Sequence, residues 1–161
     1  MKKELFQFQF EVYHSIDDLS QEDASLLKKA RATTSEAYAP YSNFRVGAIA
    51  KLINGKTITG ANHENASFPV GLCAERVVLA SAFSQYPGVP IDTIAISYQP
   101  SNGRGDHPIA PCGICRQSLQ ELEEKTGNPI RLILGGMQGS IYIIPKAGML
   151  LPLAFTQQEF K

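Results

Sequence analysis

The side chains with the most chemistry to offer are three cysteines, and they fall in two clusters, Cys73-Ala74-Glu75-Arg76 and Pro111-Cys112-Gly113-Ile114-Cys115-Arg116. Three is an odd number, so no closed disulfide framework accounts for them, and thiols grouped in this way point to a metal or to catalysis. A C-x-x-C at the start of a helix brings two sulfurs onto one ion, while the helix dipole and its free N–H groups favour the thiolate forms. Zinc accepts such sulfurs in tetrahedral geometry, and three protein ligands leave a fourth position open, which is the mark of a catalytic rather than a structural centre. Glu75 stands two residues beyond Cys73, so its carboxyl reaches the open position without ligating the ion, the place of a proton shuttle. Arg76 and Arg116 each adjoin a candidate ligand and are placed to offset the excess thiolate charge by hydrogen bonds to sulfur.

Two helices must start at these clusters for the sulfurs to meet. Residues 73 to 85 have helical length and end before Pro87-Gly88, and residues 112 to 126 form a second helix with Gly127 as its stop. An earlier helix is expected from Gln21, after the cap-like Ser20, until Pro40. Asn54-Gly55 between 46–53 and 56–61 is a hairpin signal, and 91–97, 130–134 and 141–144 read as strands. The last two must pair antiparallel, because the six residues from Gly135 to Ser140 are too few for a parallel crossover. Phe6, Phe8, Phe10 and Val12 alternate with polar residues and predict an added edge strand whose aromatic stripe serves packing. The expectation is an α/β three-layer sandwich around a mixed five-stranded sheet, one domain over 1–161 with residues 1–19 as an N-terminal extension. The middle of 73–85 is apolar nearly all round, which calls for cover on both sides and predicts a homo-oligomer.

The composition excludes several classes. With 43% apolar and 19% charged residues the chain can sustain a core, and its fifteen basic residues balance fifteen acidic ones. A neutral surface gives no support for binding nucleic acid or an anionic membrane. No apolar run is long enough to span a bilayer, and Glu4, Gln7, Gln9 and Glu11 break any signal-peptide core, so a cytoplasmic protein is expected.

Further motifs add to the cysteines: Tyr41-Ser42-Asn43-Phe44-Arg45-Val46-Gly47-Ala48, Asn62-His63-Glu64-Asn65-Ala66-Ser67-Phe68 and Leu150-Leu151-Pro152-Leu153-Ala154-Phe155. With C-A-E and P-C-G-x-C they resemble the cytidine deaminase family, in its short, homotetrameric, three-cysteine form acting on free nucleosides. The resemblance covers about residues 35 to 156. It implies one zinc per subunit on Cys73, Cys112 and Cys115, with Glu75 carrying protons. It also implies Phe44 stacked on the pyrimidine, Asn62 and Glu64 on the ribose 3'-hydroxyl, Ala74 within the substrate site, and Phe155 closing over a neighbouring subunit's pocket. The implied reaction is hydrolytic deamination of cytidine and 2'-deoxycytidine in pyrimidine salvage. The residues agree: in an extended 60–65 segment Asn62 and Glu64 share one side and His63 faces the other way, an amide and a carboxylate can grip a hydroxyl, and Phe44 offers a flat wall.

Two other readings stand beside this one. The cysteines could hold a structural zinc with His107 or His63 as fourth ligand, which would leave Glu75, Phe44 and Glu64 as coincidences. The substrate could be a base within RNA or DNA, or a nucleoside-like antibiotic, although neutral charge and the tight last hairpin oppose a strand-binding groove. Pro69 and Gly71 depart from the family's usual glycine and threonine, and the approach from Gln99 to Ala110 is longer than usual. That loop borders the expected pocket and is placed to tune selectivity.

Overall fold

A computed structural model of the chain describes residues 1–101 and 103–160; Asn102, within the long loop, lies outside the described residues. Six strands form one sheet: β1 (Glu11–Tyr13), β2 (Arg45–Leu52), β3 (Thr57–Ala61), β4 (Ile91–Gln99), β5 (Arg131–Gly135) and β6 (Ile141–Ile144), in the spatial order β1-β6-β5-β4-β2-β3. The five expected core strands are all present, with β1 added at the edge. Gly55, at a φ of 81° that suits glycine, turns β2 into β3, and β5 pairs antiparallel with β6 as the short connection required.

Helices cover both faces. Along β4 and β5 successive side chains alternate between two cores, as strand geometry dictates. Ala95 and Ile133 face α1 (Gln21–Thr33) through Leu26, Leu27 and Ala30. Ile94, Ile96, Leu132 and Leu134 face α2 (Ala74–Gln85) and α3 (Gly113–Thr126) through Val78, Ala82 and Leu119. The outer side of α2 keeps Ala80 and Phe83 exposed, with the Lys125 ammonium 4.0 Å from the Phe83 ring centre.

The topology delivers both sulfur clusters to one place. Strand β2 is antiparallel to both β3 and β4, so β3 and β4 run the same way, and β5 is parallel to β4. Helix α2 links β3 to β4, and α3 links β4 to β5. Each helix therefore begins beyond the carboxyl end of one of these co-directional strands, and the two N-termini share one edge of the sheet, where open α/β sheets form their ligand crevices.

Two elements are shorter than their patterns suggest. Helix α1 ends at Thr33, with one 3-10 turn over Thr34–Glu36, instead of continuing to Pro40. There Thr33, Thr34 and Ser35 turn their hydroxyls onto the carbonyls of Lys29, Arg31 and Ala32, and Tyr38 donates its N–H to Asn62. The N-terminal strand pairs only over Glu11–Tyr13, although the alternation starts at Phe6, because its partner β6 has four residues and is followed by Pro145, which has no N–H to offer. The aromatic stripe continues beyond the ladder as ring contacts, with Phe10 5.0 Å from Tyr142.

Candidate active site and metal centre

Cys73 caps α2 and Cys112 caps α3, each in extended backbone, and Cys115 lies buried in the first turn of α3. The sulfurs of Cys73 and Cys112 are 3.7 Å apart, those of Cys112 and Cys115 3.5 Å, and all three lie within 4.8 Å of one another. A tetrahedral centre with bonds of about 2.3 Å needs sulfurs roughly 3.8 Å apart, whereas a disulfide needs about 2 Å. The spacing thus fits zinc. Among the described residues the metal-competent group consists of these three sulfurs alone. His63 and His107 stand outside it: the His63 ring lies 4.9 Å from that of Tyr38, and His107 is engaged by Tyr98 and Asp106.

The cluster stabilises one negative charge. Hydrogen bonding from Cys115, then from Cys112, together with the Arg76 charge, brings the Cys73 thiol down to about 6 against the opposition of burial. Cys115 moves the other way, because its proton is held against Cys73 and it is buried. A cation entering here would find one thiolate formed and displace the remaining protons. Glu75 is only 6% exposed, and burial pushes its carboxyl above the usual carboxylate range, partly offset by its own N–H and by Cys115.

Cys73, Glu75 and Cys112 form the floor of a cleft of about 700 Å³ whose walls include Phe44, Asn62 and Glu64, with Cys115 buried beneath it. The walls are already hydrogen-bonded. The Asn62 amide accepts from Val46 N–H at 2.7 Å and donates to the Phe44 carbonyl at 2.9 Å, pinning the start of β2. The Glu64 carboxylate accepts the N–H groups of Tyr41 and Ser42 and the Ser42 hydroxyl, and Ser42 Oγ accepts from Phe44 N–H at 3.0 Å. These partners, the Ser42 hydroxyl first, hold the Glu64 carboxyl below its ordinary value. Asn43 sits in the left-handed region at a φ of 54°, a conformation asparagine tolerates, and so bends the loop that presents Phe44.

Some expected residues lie apart. Ala74 is fully buried behind the wall, and Phe155 is 60% exposed outside the cleft, its carbonyl accepting from Gln117. Arg116 corrects the sequence expectation: its Nε and one Nη donate to the carbonyls of Pro111 and Leu150 rather than to sulfur, which fixes the segment before Cys112 to the chain's final stretch. His63, expected to face away, contributes to the cleft wall because its backbone pairs with Leu72 beside the cysteine. Sequence reasoning missed Ser42 and Tyr98. The first stands two residues before Phe44, where a serine hydroxyl commonly bonds a nearby N–H; the second is an aromatic ending an aliphatic strand. Ile109 and Ala110 of the long loop do line the cleft.

Residues 20–127 match the family described as the cytidine and deoxycytidylate deaminase zinc-binding region. The chain is 40% identical over 134 residues to a cytidine deaminase of Halalkalibacterium halodurans, covering 83% of this chain and 94% of that one. A crystal structure of cytidine deaminase from Burkholderia pseudomallei aligns with a TM-score of 0.71 at 40% identity, over 85% of this chain and 100% of the other. One from Mycobacterium tuberculosis aligns with a TM-score of 0.62 at 33% identity, over 81% and 94%. The sulfur geometry, the sheet and these matches agree that the chain belongs to the cytidine and deoxycytidylate deaminase family.

Proposed function

We propose that the protein hydrolyses free cytidine and 2'-deoxycytidine to the corresponding uridine nucleosides and ammonia. The observation that carries this reading is the buried Glu75 carboxyl beside three converging sulfurs, two of them on the floor of a cleft with an aromatic wall. When bound, one zinc per chain on Cys73, Cys112 and Cys115 would supply Lewis acidity at that floor. Phe44 offers its ring to the pyrimidine, and Ala74, at the start of α2, is a further member of the substrate site. Asn62 retains one amide hydrogen and Glu64 retains lone pairs, and both can meet the sugar hydroxyls. Glu75 takes a proton from the attacking water, delivers it to N3 and assists departure of the amine; the C4–O bond forms, the C4–N bond breaks and ammonia leaves. Its burial suits this work, since a carboxyl raised above its ordinary range holds an accepted proton more readily than it would in water, long enough to deliver it. Arg76 favours the thiolates through its charge, and Arg116 acts by holding Pro111.

The same reading makes the protein a homotetramer of the cytoplasm serving pyrimidine salvage, with Phe155 reaching a neighbouring copy's cleft. The exposed Phe155 ring and the uncovered outer side of α2 support the assembly, and the balanced charge favours a free nucleoside over a polynucleotide. The test is loss of cytidine absorbance, compared with deoxycytidine, adenosine and a single-stranded oligonucleotide. Turnover of the two cytosine nucleosides alone is expected. One zinc per chain without turnover of any of the four would move the site to a structural role.

A further inference from the structure

Behind Phe44 lies a group of residues for which neither the sulfur chemistry nor the sugar contacts have a use. The Tyr98 ring, 2% exposed at the end of β4, stacks on Phe44 with centroids 5.2 Å apart and planes 21° from parallel. Its hydroxyl lies within hydrogen-bonding distance of both His107 ring nitrogens, 3.2 Å from Nδ1 and 3.3 Å from Nε2, and Nδ1 is also 3.0 Å from the Asp106 carboxylate. His107 and Asp106 belong to the long loop, yet this part of the loop is anchored. Gln138 N–H donates to the Gly105 carbonyl at 2.9 Å, and the 136–139 turn presses so close that a Cβ on Gly136 or Gly139 would overlap the carbonyl oxygens of Gly105 and Asp106. Arg31 Nε donates to the Gly136 carbonyl at 2.9 Å, tying the turn to α1.

We infer that Tyr98 is a positioning residue for the nucleobase: its ring backs Phe44 and sets the plane of the cleft wall, and His107, held by Asp106 on the anchored loop, holds Tyr98 in turn. Neither Tyr98 nor His107 lines the cleft, so both act through Phe44. The inference rests on the reading of Phe44 as the surface on which a pyrimidine stacks. Phe44 has one face against Tyr98 and is half-buried at the cleft, so without the backing ring it gains rotamer freedom that binding must then remove. This is a binding defect, felt by substrate and product alike, and it leaves the proton chemistry at Glu75 untouched.

The experiment measures KM and kcat for cytidine, together with equilibrium binding of uridine by calorimetry, on the zinc-loaded wild type, Tyr98→Leu, Tyr98→Phe, His107→Ala and the Tyr98→Phe/His107→Ala pair. Tyr98→Leu is expected to weaken uridine binding and to raise KM by roughly 3- to 10-fold, with kcat within about twofold of wild type. Tyr98→Phe keeps the ring and loses the hydroxyl's bonds to both the ring and the backbone N–H of His107, so it should raise KM about two- to threefold, at least as much as His107→Ala, which keeps the backbone bond. The double variant should be no worse than Tyr98→Phe alone. If Tyr98→Leu fails to fold, the exposed His107 site and the conservative Tyr98→Phe still carry the test. Unchanged KM and uridine affinity in these variants, or a loss falling on kcat alone, would overturn the positioning role. A wild type that neither binds uridine nor converts cytidine would instead sink the nucleoside reading from which the role derives.

Discussion

The floor and the wall of the cleft are built on opposite plans. At the floor, three sulfurs crowd to within 4.8 Å around one lowered thiol, and burial raises the carboxyl of Glu75, so both groups are displaced from their ordinary titration. On the wall, Asn62 and Glu64 are already bonded to the backbone of residues 41 to 46. Groups whose titration is shifted by burial and by one another mark where the bonds change, whereas polar groups tied to the backbone mark where shape is kept. The two regions should therefore fail differently when cut.

The largest effect is expected on the floor. Glu75→Gln should lower kcat for cytidine by about 10³-fold or more while leaving zinc content and the unfolding midpoint near wild type, because the amide fills the same space but cannot shuttle a proton. Wild-type-like turnover would erase the contrast. Cys112→Ser should lose stoichiometric zinc by metal analysis and, with it, turnover, since an ion held by only three sulfurs needs each of them.

A smaller and different effect is expected on the wall. Ser42→Ala removes the hydroxyl that links Glu64 to Phe44 N–H and should raise KM by roughly 2- to 5-fold with kcat little changed. A fall in kcat equal to that of Glu75→Gln would show that floor and wall are one unit. The smallest effect on activity belongs outside both regions. Asp23 makes a bidentate pair with Arg131 at 2.7 and 2.8 Å, which holds its carboxyl below the usual range. A carboxyl lowered in the folded state contributes stability that is complete above its unfolded value and is lost as pH falls through the folded one. Asp23→Asn should thus cost about 1–3 kcal/mol in urea unfolding at neutral pH, and the difference from wild type should shrink below about pH 4, with KM and kcat unmoved.

The parts legible in the sequence were those fixed by local chemistry. Asn54-Gly55 announced its hairpin, the short 135–140 link forced an antiparallel pair, and the cysteines marked both helix starts. Partners distant along the chain were not legible. The N-terminal alternation could not show that Pro145 would end the matching strand, and nothing near Arg116 announces the Leu150 carbonyl. Alternation placed Asn62 and Glu64 on one side but said nothing of which groups would hold them there. The early end of α1 was written locally, in the hydroxyls of Thr33, Thr34 and Ser35, and helical spacing through Leu27 and Ala30 masked it.

The two co-directional crossovers have a consequence for how the molecule can be watched as it assembles. A cut between residues 100 and 110 would leave one fragment with a single thiol and Glu75 and the other with two thiols, so neither could grip an ion with three sulfurs. Tight zinc capture on mixing the pieces would then act as a stopwatch for the docking of β5 beside β4.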